Sequence, residues 1–118
     1  MNNTSSKYNL EERTAKFGES VIDLLKEIPK NEITKPLINQ LIRCATSVGA
    51  NYCEADDAES KMDFKHKIGI CKKEAREAKY FLRMLTRAEP EYKDKIIMRW
   101  NEAKELNLIF NSIFQKVR

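Results

Sequence analysis

Apolar residues return along this chain with a helical period almost from end to end. Leu10, Phe17, Val21, Leu24 and Ile28 share one face of a 3.6-residue period and predict a first helix from about Leu10 to Ile28. Glu11 and Glu12 suit its electropositive start, and Pro29 ends it because the residue before proline is pushed out of the α region. A second helix is predicted to start near Thr34, with Thr34 as its cap and Pro36 in the first turn, where its missing N–H has no partner to lose. Leu37, Leu41, Cys44, Val48, Tyr52 and Ala55 form its face, flanked by Ile38, Ile42, Ala45 and Gly49. That face is too wide for one neighbour, and the small residues Ala45, Gly49 and Ala50 would let another helix approach closely. The segment ends around Asp56 to Glu59.

The third segment opens on Ser60-Lys61-Met62-Asp63, which resembles a capping box with Asp in place of Glu. Phe64, Ile68, Cys71, Ala75, Ala78, Leu82 and Leu85 then alternate in steps of four and three, a heptad seam of the kind found in bundles. After Pro90, the residues Ile96, Trp100, Ala103, Phe110, Phe114 and Val117 make a last stripe, widened by Leu106 and Ile113. Asn107 interrupts it, either as a buried polar contact or because the seam is shallower there. Short links favour antiparallel neighbours, so the expected fold is all-α, an up-down-up-down antiparallel four-helix bundle. It would form one domain over residues 10–118, preceded by a disordered segment at 1–9.

Composition narrows the alternatives. Three Gly and three Pro in 118 residues supply too few turns for a β-sandwich or barrel. No apolar run approaches a membrane span, and the polar stretch Met1 to Asn9 resembles no signal peptide, so the expected location is the cytoplasm, without membrane contact. Cys44, Cys53 and Cys71 show no C-x-x-C spacing and read as reduced, semi-buried residues. Asp63-x-x-His66 echoes half of a carboxylate-bridged di-metal site, but one histidine in the chain cannot complete it. No metal or other cofactor is expected. No nucleophile–base pair and no glycine-rich phosphate loop is present, so the chain is not expected to be an enzyme. A Glu54–Arg76 or Asn51–Glu74 contact could pin helix register.

Charge changes the picture more. The chain carries a formal +4, yet Ser60 to Ala88 holds nine lysines and arginines against Asp63, Glu74 and Glu77, a local surplus of six. At about 100° per residue, Lys61, Lys65, Lys72, Arg76, Lys79, Arg83 and Arg87 share a stripe about 80° wide, with the three acids well away from it. Such a row attracts a polyphosphate backbone, RNA or DNA, and would release counterions on binding. It could equally be a solvated face whose charges meet acids of a neighbouring helix or subunit. A second apolar set, Ile70, Tyr80, Phe81 and Met84 on the third helix with Ile22, Ile38 and Ile42, exceeds what one bundle core needs. Together with Gly49, where close approach is possible, it is the candidate oligomer interface, or the docking surface for a protein partner. Scattered surface hydrophobes are the alternative.

The runs Thr46-Ser47-Val48-Gly49-Ala50-Asn51-Tyr52-Cys53-Glu54-Ala55, Ser60-x-x-Asp63-Phe64-x-x-Lys67-Ile68 and Lys73-Glu74-Ala75-Arg76-Glu77-Ala78 resemble the four-helix bundle proteins of the 23S rRNA intervening-sequence family, sometimes labelled S23 ribosomal protein. Leu10-Glu11-Glu12-Arg13-Thr14 through Phe17 fits as well. The resemblance implies a homopentamer and kinship with the pentameric accessory proteins of diversity-generating retroelements, which bind nucleic acid through basic surface and dock a partner enzyme. It places family basic positions at Lys67, Lys72, Lys73 and Arg76. Cys53 and Cys71 stand where the family commonly has other residues, and Phe81 where Trp is frequent, which speaks against a cysteine-based function.

Overall fold

The computed structural model describes residues 9–118. Four helices follow in order: α1 (Leu10–Glu27), α2 (Thr34–Asp56), α3 (Lys61–Ala88) and, after a 3-10 turn at Pro90–Tyr92, α4 (Lys93–Lys116). Each packs on its chain neighbour, and α1 closes on α4, the least extensive of the four contacts. Paired residues run in opposite chain directions at every contact. Across α2 and α3, Glu54 meets Lys67 and Arg43 meets Glu74 and Glu77. Across α3 and α4, Lys72 meets Asn111 and Lys79 lies over Trp100. Across α1 and α4, Arg13 meets Glu102 and Glu27 meets Lys95.

The core is the one the periodicity outlines. Ile68, Cys71, Ala75, Ala78, Leu82 and Leu85 of the α3 seam are buried, as are Leu10, Phe17, Val21, Leu24 and Ile28 from the first segment. Phe64 is half-buried at the seam's open end. Small residues at the centre of α3 let the helices close in where larger side chains at either end fill the space.

The helix ends hold one confirmation and two corrections. Ser60 caps α3, its hydroxyl accepting from the Asp63 N–H at 3.0 Å. Thr34 is not the cap of α2. The Asn31 carboxamide oxygen accepts from the N–H groups of Ile33 and Thr34, both at 2.9 Å. Buried Thr34 instead accepts from the Asn31 N–H and donates to the Pro29 carbonyl, closing the α1–α2 link. Asn9, the last residue of the stretch expected to be disordered, caps α1 by accepting from the Glu12 N–H. Residues 1–8 of that stretch lie outside the described residues.

Gly49, named above for the candidate oligomer interface, packs within the bundle. It faces Thr14 of α1 in the same chain, and a Cβ there would sit 3.0 Å from the Thr14 hydroxyl and 3.3 Å from its Cβ. Its smallness serves a contact inside the bundle. Gly18, on the facing helix, would place a Cβ in ordinary contact, 3.7 Å from the Ala45 carbonyl oxygen. The two glycines therefore predict opposite results in thermal melts. Gly18→Ala should stabilise by up to about 1 kcal/mol through helix propensity. Gly49→Ala should destabilise by about 1–3 kcal/mol, because the buried Thr14, whose hydroxyl is bonded to the Leu10 carbonyl, cannot yield.

Candidate nucleic-acid interface

Lys61, Lys65, Lys72, Lys79, Arg83 and Arg87 of α3 border α4. Arg76 stands farther round the helix in a hollow with Lys73, Glu77, Tyr80 and Phe81, and Glu74 and Glu77 lie on the flank that turns toward α2. Glu74 and Glu77 have a partner there. Arg43 of α2 donates to Glu74 at 3.3 Å and to Glu77 at 2.6 Å. Bonding to Glu77 raises the Arg43 pKa further. The expected Glu54–Arg76 and Asn51–Glu74 contacts do not form. Glu54 accepts from Lys67 at 2.6 Å, and the Asn51 side chain donates to the Ser47 carbonyl of its own helix. Lys67, a basic position implied by the family resemblance, is thereby bound to an acid. The hydrogen bond to Glu54 raises its pKa.

Among the described residues, none of Lys61, Lys65, Lys72, Arg76, Lys79, Arg83 and Arg87 forms an ion pair. Their surroundings differ along the row. Lys65 and Lys72 lie over the Phe114 ring of α4, 4.8 and 4.5 Å from its centroid. Lys72 also donates to the Asn111 side chain, while the Asn107 side chain donates to the Lys72 carbonyl at 2.8 Å. Asn107 is thus a polar contact between α3 and α4, the first of the two readings its position allowed. Lys79 lies 5.4 Å from the centroid of Trp100, and Lys104 of α4 lies 5.7 Å from the same ring. A cation over an aromatic face is attracted to the ring by about 0.5–1 kcal/mol. Lys61, Arg76, Arg83 and Arg87 are exposed.

The result is a basic surface crossed by rings. It runs the length of α3, about 39 Å from Lys61 to Arg87 at 1.5 Å per residue, in a molecule whose longest dimension is 44 Å. Lys116 and Arg118 join Lys61 around a shallow hollow at one end. Lys93 joins Arg83 and Arg87 around a groove at the other. These contributions from α4 escape a reading of α3 alone. Trp100 and Phe114 were legible as apolar positions of the last stripe, but their role as platforms for cations depends on which α3 side chains face them.

The apolar set is less exposed than expected. Phe81 and Ile38 are half-buried and pack against the core, and Ile70 and Met84 are half-buried too. Tyr80, 54% exposed and edge-on to Phe81, and Ile42, 38% exposed, remain open. Exposed apolar side chains that the periodicity did not single out are Ile97 and Leu108 of α4, Met98 beside Ile97, Met62 in the first turn of α3, and Ile33 before α2.

The thiols divide as their burial dictates. Cys44 and Cys71 are buried, and desolvation pushes each up to about 12. Cys53 is exposed. Iodoacetamide at pH 8 should therefore modify one thiol in the folded chain and three after unfolding, as counted by intact mass. The same burial makes the bundle sensitive to alkali. Unfolding returns each thiol to its ordinary value near 9, so the unfolded chain holds fewer protons above that pH. Stability should fall as pH rises from about 9 toward about 12.

Comparison with known proteins places this arrangement. A family model described as 23S rRNA-intervening sequence protein matches residues 6–112. Among matching solved structures is a protein of unknown function of the S23 ribosomal protein family from Bacteroides thetaiotaomicron. It is 29% identical, with a TM-score of 0.79 over 90% of this chain and 98% of that one. No curated protein matches the chain. Among the described residues, no helix is long and apolar enough to cross a membrane.

Proposed function

The chain belongs to the 23S rRNA-intervening sequence protein family, and from the surface it carries we propose that it binds polynucleotide, RNA in the first instance, through the α3–α4 face. One observation carries this reading: seven cations in a row, none of them neutralised by an acid within the described residues. In a bundle whose Arg13, Arg43, Lys67 and Lys95 all engage carboxylates, a run of seven unpaired cations on one flank leaves an excess of positive potential. Phosphate oxygens are the ligands that such a row suits. Without a base-reading element in a groove, recognition would rest on the backbone and tolerate many sequences.

A gel-shift series with structured RNA and with duplex DNA between 50 and 200 mM salt tests this. If all seven cations meet phosphates, log K should fall with log salt with a slope of about −6 per protomer on duplex and about −5 on single strands. Binding absent at 50 mM, or unaffected by salt, would overturn the reading.

Tyr80 and Ile42 favour a second reading, a surface for protein contact, because they leave large apolar side chains open beside α2 and α3. Copies of this chain meeting there, a homopentamer in the family's manner, would multiply weak phosphate contacts by avidity. The two readings are compatible, and light scattering on Ile42→Glu separates them. A fall in mass with unchanged affinity per protomer would assign Ile42 to assembly alone.

A further inference from the structure

The basic row ends in a groove of a different character. Between the C-terminal end of α3 and the start of α4 lies a hollow of about 720 Å³. Pro90, Ile97 and Trp100 supply its apolar walls, and Arg83, Arg87 and Lys93 its charge. No carboxylate lines it. Among the described residues, none of its three cations is paired with an acid. Ile97 is 43% exposed, so this apolar surface is open to a ligand. The Thr86 hydroxyl, also in the lining, already donates its proton to the Leu82 carbonyl and is left only as an acceptor. The walls thus offer contact area and positive charge, and little neutral hydrogen bonding.

We propose that this groove receives an unpaired nucleotide, its base set against Ile97, Pro90 and the part of Trp100 that lines the groove, and its flanking phosphates held by Arg83, Arg87 and Lys93. The inference rests on the polynucleotide reading above and deepens it: the preferred ligand becomes a single strand or a splayed loop. Phosphates alone have no use for an apolar wall, and a duplex keeps its bases stacked inside. Among nucleic acids, a strand with a free base satisfies the cations and the apolar walls together. The volume lies in the range of small-ligand sites. Lys79 and Lys104, both near the Trp100 ring, add positive charge beside the groove. Continuity with the rest of the row, which can track the strand toward Lys61, distinguishes a polynucleotide from an isolated acidic peptide.

Trp100 is the chain's single tryptophan, so its fluorescence reports on this groove without labelling. The full chain is titrated at fixed low salt with a 12-nucleotide oligoadenylate RNA, a 12-base-pair RNA duplex and a 12-residue polyglutamate. The expected result is quenching by the single strand, with affinity roughly 5- to 100-fold above that for the duplex, the range that stacking of one base supplies. Ile97→Asn, a change at a partly exposed position that leaves every cation in place, should bring single-strand affinity down toward the duplex value. Equal affinity for strand and duplex without quenching would overturn the nucleotide groove and leave the polynucleotide reading standing. Failure of both nucleic acids to bind would overturn both. Quenching by polyglutamate alone would transfer the groove to an acidic protein partner.

Discussion

Replacing Arg76, Arg83 and Arg87 together by Glu should lower polynucleotide affinity at least about 100-fold while leaving the helical circular dichroism and the melting temperature almost unchanged. The three guanidinium groups are exposed and, among the described residues, unpaired, so their reversal breaks no contact that holds the bundle together. They stand on the outer part of the row, and each reversal both removes a phosphate partner and adds a repulsion. The control is a matched change elsewhere. Lys16, Lys26 and Lys35, on α1 and α2, are exposed, and their reversal shifts the net charge equally; the one ion pair among them, Lys16 with Glu12 at 3.7 Å, is solvent-exposed and contributes little. If total charge governed binding, both triples would lose affinity alike. If the α3–α4 face governs it, only the arginine triple loses it, and the salt slope of what binding remains should be shallower. Equal losses in the two gel-shift series would refute the site.

Lys65 and Lys72 are less suitable for this test, although they belong to the same row. Both rest on Phe114, and Lys72 is also bonded to Asn111. Reversing them would remove attractions between α3 and α4 and mix a loss of binding with a loss of packing. The row is therefore two populations: cations seated on α4 rings, and cations projecting freely.

The second large effect concerns stability. Phe110→Ala should cost about 3–5 kcal/mol and lower the melting temperature by about 10–20 °C. Phe110 is fully buried, and its ring lies 6.0 Å from that of Tyr52, joining α4 to α2 across the bundle. Deleting the ring leaves a cavity that three helices would have to shift to fill, and a domain of this size has only about 5–15 kcal/mol of stability. Leu108, two residues away and 53% exposed, is the comparison. Leu108→Ala should change stability by less than about 0.5 kcal/mol. Similar melting curves for the two variants would show that α4 does not dock as described, and the assignment of Trp100 and Phe114 to the α3 face would fail with it.

The weakest contact in the ring, α1 on α4, is held differently. Arg13 makes a two-pronged bond to Glu102 at 2.7 and 2.9 Å, and Arg99 donates to the Ser20 carbonyl at 3.0 Å. Bonding to Glu102 raises the Arg13 pKa. None of these pairs has a sequence signature, because the partners lie about ninety residues apart or nearly so.

What could be read from the chain was whatever depends on local geometry. A helix repeats every 3.6 residues wherever it is, so the α3 seam, the buried face of α1 and the sharing of one flank by seven cations follow from spacing alone. The Ser60 cap is equally local, three residues from the N–H it accepts. The Asn31 cap belongs to the same class and was legible, since Asn three residues before a first helical turn carries the acceptor. Thr34 drew the assignment because it stands at the boundary itself, but its hydroxyl was needed to close the preceding link.

Tertiary structure decided everything that depends on register between distant segments. It placed Arg43 against Glu74 and Glu77 and Glu54 against Lys67, and, among the described residues, left the seven cations of the row without an acid partner. It set Phe114 and Trp100 under Lys65, Lys72 and Lys79, and it brought Lys93 to Arg83 and Arg87 around an apolar hollow. It turned Gly49 inward against Thr14, and packed Phe81 against the core. Periodicity states which direction a side chain takes from its own helix axis. Only the packing of the neighbouring helix, fixed by how the four apolar faces interlock, states what that side chain meets when it arrives.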